Sequence, residues 1–397
     1  MKLFLQFGHG MMDHCRHLIG SFGNTSVLLS PRDLTENQIE SLSNDIHELG
    51  GSTLIDPQFY DPRADHHGLV KHDYWPDDFD TSIFLSGPPL STLLKKLIDL
   101  NNLGKTNKFI LPGLYCDRMD DDWLEIQSAI IDESVHLISD KQRIATVCLS
   151  GETIRFEDQI EVLLNASEEW DVDGYYVVAE HPNGTYLADD PIWLSNLLTL
   201  CSGFKLQERQ VIVGYSNHQL LCLACAGVDA IAAGTWLNVR SFSTEKFQEP
   251  DAESVSRRVK WYYCPQTLSE YKLPFLDMAF RRGVLGSLAV LQEYNSHYAD
   301  VIFAGAQPST TNYSEQQSFR HYLTCLRHQC STASRSSFSE TINYHSALMD
   351  DVEGMIKVAH RAGVRGQNRD FADFVDVNRA AIDAFIDTRG FVLERLW

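Results

Sequence analysis

Eight short apolar runs, each followed by a polar turn and a stretch with helical periodicity, constrain the fold of this chain more than any other feature. Most of the runs are apolar at consecutive positions, as in strands that are covered on both faces. They lie at 25–30, 52–56, 81–86, 108–113, 145–150, 174–180, 210–216 and 228–235. This alternation predicts an α/β fold, a closed (β/α)8 TIM-type barrel, with an open doubly wound sheet as the alternative.

Helix-capping patterns separate several of these runs. Thr35 and Gln38 have the spacing of a capping box, Asp120 begins an acidic helix start, and Asp190 stands before a first-turn proline. One apolar run, KLFLQFG at 2–8, is left over from the count of eight. It is either a plug or flanking strand at the bottom of the barrel, or the true first strand.

The domain organisation changes at about residue 245, where helical patterns replace the strand pattern. Helices are predicted near 251–262, 274–294, 315–329, 341–361 and 370–386. We therefore expect a barrel over 1–245 and a mainly α-helical C-terminal region over 246–397. This second region either covers the barrel mouth or binds a protein partner.

Charge and composition exclude several classes of protein. Hydrophobic residues make up 44% of the 397 residues, which is typical of a folded chain and not of a disordered one. The net charge of −21 argues against attraction of the whole molecule to nucleic acid or to an anionic membrane, so phosphate contacts must be local. The apolar run at the start is too short for a signal peptide or a membrane span, which predicts a cytoplasmic protein.

Carboxylates follow two of the predicted strands, at the end where TIM barrels place their active sites. Asp56 ends an apolar run with no Lys or Arg beside it, and Glu180 follows the run GYYVVA. Two such carboxylates suit acid, base or nucleophilic chemistry at a glycosidic bond, and we predict both as catalytic. The alternatives are a capping or ion-paired role for Asp56 and a rim position for Glu180.

The segment 211–242 has the pattern of a phosphate or ligand site built from the last two barrel strands. Its small residues would let backbone N–H groups approach a ligand, although they could also be small only to pack. Arg240 is expected to meet a phosphate. The other predicted ligand-binding residues are polar or aromatic side chains at strand ends, namely Gln58, Asn217, His218, Thr235, Trp236 and Asn238.

The long loop after the 52–56 run concentrates imidazole and carboxylate groups. His66, His67 and His72 with the neighbouring aspartates could ligate Zn, Mn or Fe, which makes a metal-dependent hydrolase one alternative function. Their spacing is irregular and contains no HxH or HExxH motif. The same loop could instead stack its aromatic rings on a ligand, or simply be solvated.

A basic stripe lies late in the chain. Lys357, Arg361 and Arg365 stand at i, i+4 and i+8 of a predicted helix. Such a stripe can hold a nucleic-acid backbone, or it can be solvated or dock against an acidic neighbour.

The order of an early strand ending in an acidic residue, then GYYVVAE, VIVGYS and GVDAIAAGTWLNVR, resembles that of the tRNA-guanine transglycosylases. Enzymes of that family use a barrel to exchange a base at a ribose C1′. The resemblance implies that Asp56, in DPQFY, matches a catalytic aspartate of the family. It also implies a nucleobase or nucleotide type of ligand.

Two departures from the family pattern affect the implied chemistry. GVDAI is followed by Ala232, so the family's nucleophilic aspartate is missing, and the cysteine set of its structural zinc is absent apart from Cys264. The resemblance therefore indicates a related fold more strongly than the same reaction. We expect a barrel that acts on the glycosidic bond of a nucleoside, nucleotide or nucleic-acid base, with no cofactor, although zinc remains an alternative without the family's zinc motif. A non-catalytic barrel subunit that binds a protein or nucleic acid is the second alternative.

Overall fold

The computed structural model describes residues 1–62, 66, 68–76, 86–247 and 259–397. The predicted strand at 81–86 and His67 therefore lie outside the described residues, except for Ser86 at the end of that run. The other seven predicted strands are confirmed. Among the described residues, no helix combines the length and the apolar character that a membrane crossing requires.

One parallel sheet forms the barrel. Its strands are β1 (Lys2–Gln6), β2 (Ser26–Leu29), β3 (Ser52–Ile55), β4 (Lys108–Ile110), β5 (Tyr115–Cys116), β6 (Gln142–Leu149), β7 (Gly174–Ala179), β8 (Gln210–Val213) and β9 (Ala230–Ala233). The spatial order is β3-β2-β1-β9-β8-β7-β6-β4, with the short β5 also paired to β6. The two ends of this path, β3 and β4, come within 8 Å of each other between Cα atoms, so the sheet curls into a TIM-type barrel.

The leftover run at 2–8 is the true first strand, and its reading as a plug or flanking strand is wrong. β1 pairs in parallel with β2 on one side and with β9 on the other. Phe4 faces the barrel interior, while Leu3 and Leu5 face the helices. A strand that is buried on both faces has no polar alternation, so its pattern does not distinguish a central strand from a plug.

Helices surround the sheet and continue beyond it. They are α1 (Met12–Phe22), α2 (Glu36–Glu48), α3 (Gly87–Leu103), α4 (Asp121–Leu137), α5 (Gly151–Arg155), α6 (Glu157–Ser167), α7 (Pro191–Leu206), α8 (Leu273–Arg281), α9 (Asp300–Phe303), α10 (Glu315–Ala333), α11 (Phe338–Arg361) and α12 (Val375–Leu396). The predicted starts are confirmed, because Thr35, Asp120 and Asp190 each accept a backbone N–H of the first turn.

Side chains of the strands alternate between two hydrophobic clusters. The interior cluster contains Phe4, Leu28, Leu54, Tyr176 and other residues of the same parity. Residues of the opposite parity pack against the helices. This period of two decides which strand-end residues project into the barrel, and it places Gln6, Asp56 and Glu180 on the interior side.

The C-terminal region packs along the flank of the barrel. An antiparallel hairpin of β10 (Trp261–Cys264) and β11 (Ser269–Lys272) precedes α8, so the end of the helix predicted over 251–262 is a strand. Residues 251–258 of that prediction lie outside the described residues. Helix α10 packs against β1, and α12 packs against α7. The same hydrophobic cluster includes residues from both sides of residue 245.

Candidate active site at the carboxyl ends of the strands

Asp56 occupies the centre of the barrel at the carboxyl end of β3. Its backbone N–H continues the ladder by donating to Leu29 O at 3.1 Å. Because Leu54 faces the interior, Asp56 two residues later faces it as well. The side chain is fully buried, with 0% of its surface exposed.

Hydroxyl and amide groups surround this carboxylate. Oδ1 accepts from Gln58 N at 3.0 Å and from Tyr60 OH at 2.7 Å. Oδ2 accepts from Tyr215 OH at 3.0 Å, from Tyr176 OH at 3.1 Å and more weakly from Gln6 Nε2 at 3.5 Å. The described residues that donate hydrogen bonds to Asp56 are therefore all neutral. Among the described residues, no cationic side chain forms a salt bridge with this carboxylate.

Burial and hydrogen bonding act on Asp56 in opposite directions. Burial raises the pKa of Asp56, and the hydrogen bonds from Tyr60, Gln58, Tyr215 and Tyr176 lower it in part. The pKa values of the three phenols lie well above 10, first because they are buried and also because the carboxylate is close. The phenols therefore remain protonated at neutral pH and act as donors.

Unusual backbone conformations place two of these groups. Gln58 and Tyr215 have φ values of 54° and 49°, in the left-handed region that non-glycine residues rarely adopt. Gly214 precedes Tyr215, and a Cβ at Gly214 would lie 2.3 Å from Tyr176 OH. A glycine is required here because the Tyr176 phenol crosses the end of β8 on its way to Asp56.

Two phenylalanine rings cover the tyrosines. Phe242 lies 5.2 Å from both Tyr60 and Tyr215 between ring centroids, and Phe247 lies 5.5 Å from Tyr60. The Arg32 guanidinium is 5.1 Å from the Phe247 ring centroid. Segment 241–247 therefore closes the interior over Asp56.

Glu180 lies at the end of β7 and is half-buried. Its Oε2 accepts from Tyr115 OH at 2.5 Å and from Gly151 N at 3.3 Å, and its Oε1 accepts from Thr244 N at 3.4 Å. Glu180 also lines a cleft of about 670 Å³. This cleft is open to ligands, in contrast to the carboxylate of Asp56.

The charged lining of this cleft is mainly acidic. Besides Glu180 it includes Glu152, Asp189, Asp190 and Glu245, with His181 and one arginine. That arginine, Arg155, is already paired with Asp190 at 2.7 Å and with Glu152 at 3.6 Å. The cleft therefore disfavours an anionic ligand.

The two predicted catalytic carboxylates, Asp56 and Glu180, lie at the same end of the barrel. Hydrogen bonds through two tyrosines connect them. Tyr60, which holds Asp56, accepts the Tyr115 N–H at its carbonyl, at 2.8 Å. Tyr115 in turn donates its hydroxyl to Glu180. The segment that carries Phe242 also pairs with the backbone at Glu180, so it borders both groups.

Of the predicted ligand-binding residues, Gln58 belongs to the Asp56 cluster. Its Oε1 accepts from Ser30 Oγ and from Arg32 N, both at 3.0 Å, and its Nε2 donates to Tyr215 OH at 3.2 Å. The side chain thus joins the ends of β2, β3 and β8.

Three other predicted ligand-binding residues are buried and engaged with groups of the chain itself. Asn217 caps the 3-10 helix His218–Ala226, and its Nδ2 donates to Tyr186 O and Arg240 O. His218 is fully buried, and burial lowers its pKa to about 4. Arg240, predicted to meet a phosphate, is 2% exposed and pairs with Glu270 at 3.3 Å, so a phosphate would have to displace that carboxylate.

The remaining members of this set follow β9. Thr235 is buried, Trp236 packs its ring 4.9 Å from that of Phe319, and Asn238 is exposed. Gly234 is small for a packing reason, since a Cβ would lie 2.4 Å from Gln6 O. Its N–H donates to Val239 O at 3.1 Å, so it is occupied within the chain.

The predicted metal ligands are directed to different neighbours. His72 Nε2 donates to Pro31 O at 2.7 Å, whereas the His66 ring lies 5.5 Å from Trp75. Within the described ranges, no three His, Cys, Asp or Glu side chains are grouped so that they could hold a metal ion. Cys264 is a buried free cysteine, and its thiol contacts Gln266 Oε1 at 3.5 Å.

The basic stripe is interrupted. Helix α11 ends at Arg361, so Arg365 lies beyond it, after Gly363 with φ of 83°. Lys357 forms an ion pair with Glu353. The three cations therefore do not share one helical face.

Four residues of the Asp56 cluster were not predicted as site residues: Gln6, Tyr60, Tyr176 and Tyr215. The alternation of strand side chains would have indicated Gln6 and Tyr176, because each has the parity of an interior residue. For Tyr60 and Tyr215, which follow strands, local sequence contains no comparable signal.

Comparisons with known proteins give a distant structural likeness. No protein-family model and no curated protein matches the chain. Among solved structures, it is similar to a thiamine phosphate pyrophosphorylase from Pyrococcus furiosus, with 11% identity and a TM-score of 0.31 over 59% of this chain and 85% of that one. It is also similar to active domain 2 of a thermostable chitinase from Pyrococcus furiosus, with 8% identity and a TM-score of 0.35 over 59% and 83%.

Proposed function

We propose that this protein is a barrel enzyme that breaks or exchanges the glycosidic bond of a nucleoside or related base-bearing ligand. The proposal rests on the surroundings of the Asp56 carboxylate. The group is buried among aromatic rings, and the described residues that donate hydrogen bonds to it are neutral. A negative charge in such surroundings stabilises a positive charge more strongly than it would in water.

Each carboxylate has a role in this proposal. As the C1′–N bond breaks, positive charge develops on the ribose ring, and ionised Asp56 stabilises it. Glu180 delivers a proton to the leaving base or takes one from the attacking water. Since segment 241–247 covers Asp56, its two phenylalanine rings must move before a sugar can reach the carboxylate.

The acidic lining of the cleft at Glu180 indicates which substrates it can bind. Its acidic lining repels phosphate groups, and Arg155, the arginine among its described lining residues, is already paired. We therefore favour a neutral or cationic nucleoside over a nucleotide or a polynucleotide as the substrate.

A non-catalytic barrel subunit is the second candidate. It is favoured by the fact that both Asp56 oxygens already accept hydrogen bonds from the protein itself, as expected of a satisfied structural carboxylate. Ala232, which stands where the resemblance implies a nucleophile, also supports this candidate.

The test is an assay of base release and base exchange with a panel of nucleosides, nucleotides and short RNA. Turnover should be highest with nucleosides. Asp56→Asn and Glu180→Gln should each lower kcat/KM by about a hundredfold or more, which is the usual size of such contributions. Glu152→Gln is the matched control, because this carboxylate lines the same cleft but pairs with Arg155.

The two candidates give different results. Full activity in a correctly folded Asp56→Asn protein would remove the proposed centre. No base release from any substrate, together with a copurifying partner, would favour the non-catalytic subunit.

A further inference from the structure

A second cleft lies at the opposite pole of the barrel, at the amino ends of β1 and β2. It has a volume of about 680 Å³, which is in the range of small-molecule sites. Its walls are the end of α1, the segment 293–298 and one face of α10. The cleft is therefore built jointly by the barrel and the C-terminal region.

Cationic groups outnumber carboxylates in this cleft. Among the described residues its lining includes Lys2, Arg327 and the amino terminus of Met1, with Glu293 as the carboxylate. Three histidines also line it, of which His297 is paired with Asp300 at 3.2 Å. The whole chain carries a net charge of −21. A local basic cleft on such an acidic protein is a place where an anion would be attracted specifically.

Arg327 is the cation that α10 contributes to this cleft. Its Nη2 donates to Phe22 O at 2.8 Å, and its guanidinium lies 4.5 Å from the Phe22 ring centroid. Arg327 is exposed, and the desolvation that its neighbours impose lowers its pKa somewhat, with no carboxylate among the described residues raising it again. The guanidinium is thus held in position, with donors left for an anionic ligand.

Aromatic rings line the same cleft. Tyr294 and His328 lie 4.6 Å apart between ring centroids. His17 Nε2 and Tyr298 OH are 2.8 Å apart, so a second pair of rings joins the end of α1 to the segment 293–298. Flat rings beside an arginine are the elements with which proteins stack a base and bind its phosphate.

We propose that this cleft binds a mononucleotide, with its phosphate on Arg327 and its base against Tyr294 and His328. The site is distinct from the carboxylate cluster at the other pole. The proposal does not depend on the glycosidic activity, and it adds a binding site for a phosphorylated ligand that the acidic cleft would repel.

The test is calorimetric titration of the full chain with AMP, ribose 5-phosphate, adenosine and inorganic phosphate. AMP should bind most tightly, since it alone carries both the phosphate and the base. Arg327→Gln should weaken AMP binding by about tenfold or more, the loss expected for a hydrogen bond to a charged group. Tyr294→Ala should weaken AMP more than ribose 5-phosphate.

Control variants separate this site from the proposed active site. Arg282→Gln removes an exposed arginine outside the cleft and should leave AMP binding unchanged. Asp56→Asn should also leave it unchanged, so failure of one proposal does not imply failure of the other. The proposal is overturned if AMP does not bind at millimolar concentration, or if folded Arg327→Gln binds AMP as tightly as the wild type does.

Discussion

At the scale of single residues, the acidity of Asp56 depends on the hydroxyl closest to it. Burial raises the pKa of Asp56, and among the groups that lower it the hydrogen bond from Tyr60 has the largest effect. Tyr60→Phe should therefore raise this pKa further. If turnover needs the ionised carboxylate, the acid limb of the kcat/KM profile should move to higher pH, as a pH series on both proteins would show.

Tyr74→Phe is the control for this shift. Tyr74 is also a buried tyrosine near Asp56, but its hydroxyl donates to Pro57 O at 2.8 Å. An acid limb that moves equally in both variants would contradict the assignment.

The raised pKa of Asp56 also makes the stability of the protein depend on pH. Because the pKa is higher in the folded than in the unfolded chain, the contribution of Asp56 to the free energy of unfolding is lost as pH rises through the folded pKa.

Gly214 should tolerate no side chain. In Gly214→Ala the new Cβ would meet the Tyr176 phenol at 2.3 Å, so the ring or the end of β8 must shift. We expect a loss of about 1–3 kcal/mol in the free energy of unfolding, measured by chemical denaturation, as for other overpacked sites. Gly354→Ala, a helical position with open space around it, should be neutral or stabilising.

The sequence predicted the two carboxylates but not the tyrosines that surround one of them. Asp56 and Glu180 are recognisable because each follows an apolar strand directly. Tyr60 and Tyr215 are brought to Asp56 by turns with positive φ at Gln58 and at Tyr215 itself. Such turns at non-glycine residues have no clear signature in a single sequence, since tertiary contacts stabilise them.

At the scale of elements, a buried ion triad joins the barrel to the C-terminal region. Glu270 on β11 pairs with Arg240, which follows β9, at 3.3 Å and with Arg369 at 2.8 Å. Glu270→Gln leaves the buried guanidinium of Arg240 and the half-buried guanidinium of Arg369 without their carboxylate. The free energy of unfolding should fall by about 3–5 kcal/mol, which equilibrium denaturation can measure.

Glu353→Gln serves as the comparison, because its pairs with Lys357 and Arg379 lie at the surface and should contribute little. Although burial opposes ionisation, Arg369 and Arg240 hold the pKa of Glu270 below its usual value. Its stabilisation is therefore present above about pH 4.5 and is lost as pH falls through the lowered pKa. Equal effects of the two substitutions would argue against a buried triad.

Helices that begin at a capping side chain could be predicted from the sequence. The strands of the hairpin could not, because their structure depends on pairing with each other. The caps at Thr35, Asp120 and Asp190 identified helix starts because a side chain satisfies the first N–H groups locally. The hairpin of β10 and β11 was missed. Its residues gain their pairing from each other and from packing under α10, which periodicity does not report.

At the scale of the whole molecule, the boundary near residue 245 is not a boundary of the core. One hydrophobic cluster runs from β1 and α7 into α10, α11 and α12. We therefore predict a single cooperative unfolding transition for the full chain. Far-ultraviolet circular dichroism and tryptophan fluorescence should give the same midpoint during denaturation.

Removal of residues 246–397 provides the complementary measurement. The truncated chain would expose the flank of the barrel that α10 and α12 cover, and it should not fold by itself. Two separate transitions in the full chain, or a folded and monomeric truncated barrel, would show that the two regions are independent.

The position of β1 between β2 and β9 also determines when the barrel can be completed during synthesis. The two partners β1 and β9 are more than two hundred residues apart in the sequence. At about 5–20 residues per second, a ribosome needs on the order of ten seconds or more to reach β9 after β1. Throughout that interval one edge of β1 presents backbone N–H and C=O groups without their partner strand, so the incomplete barrel can pair with strands of other chains until β9 arrives.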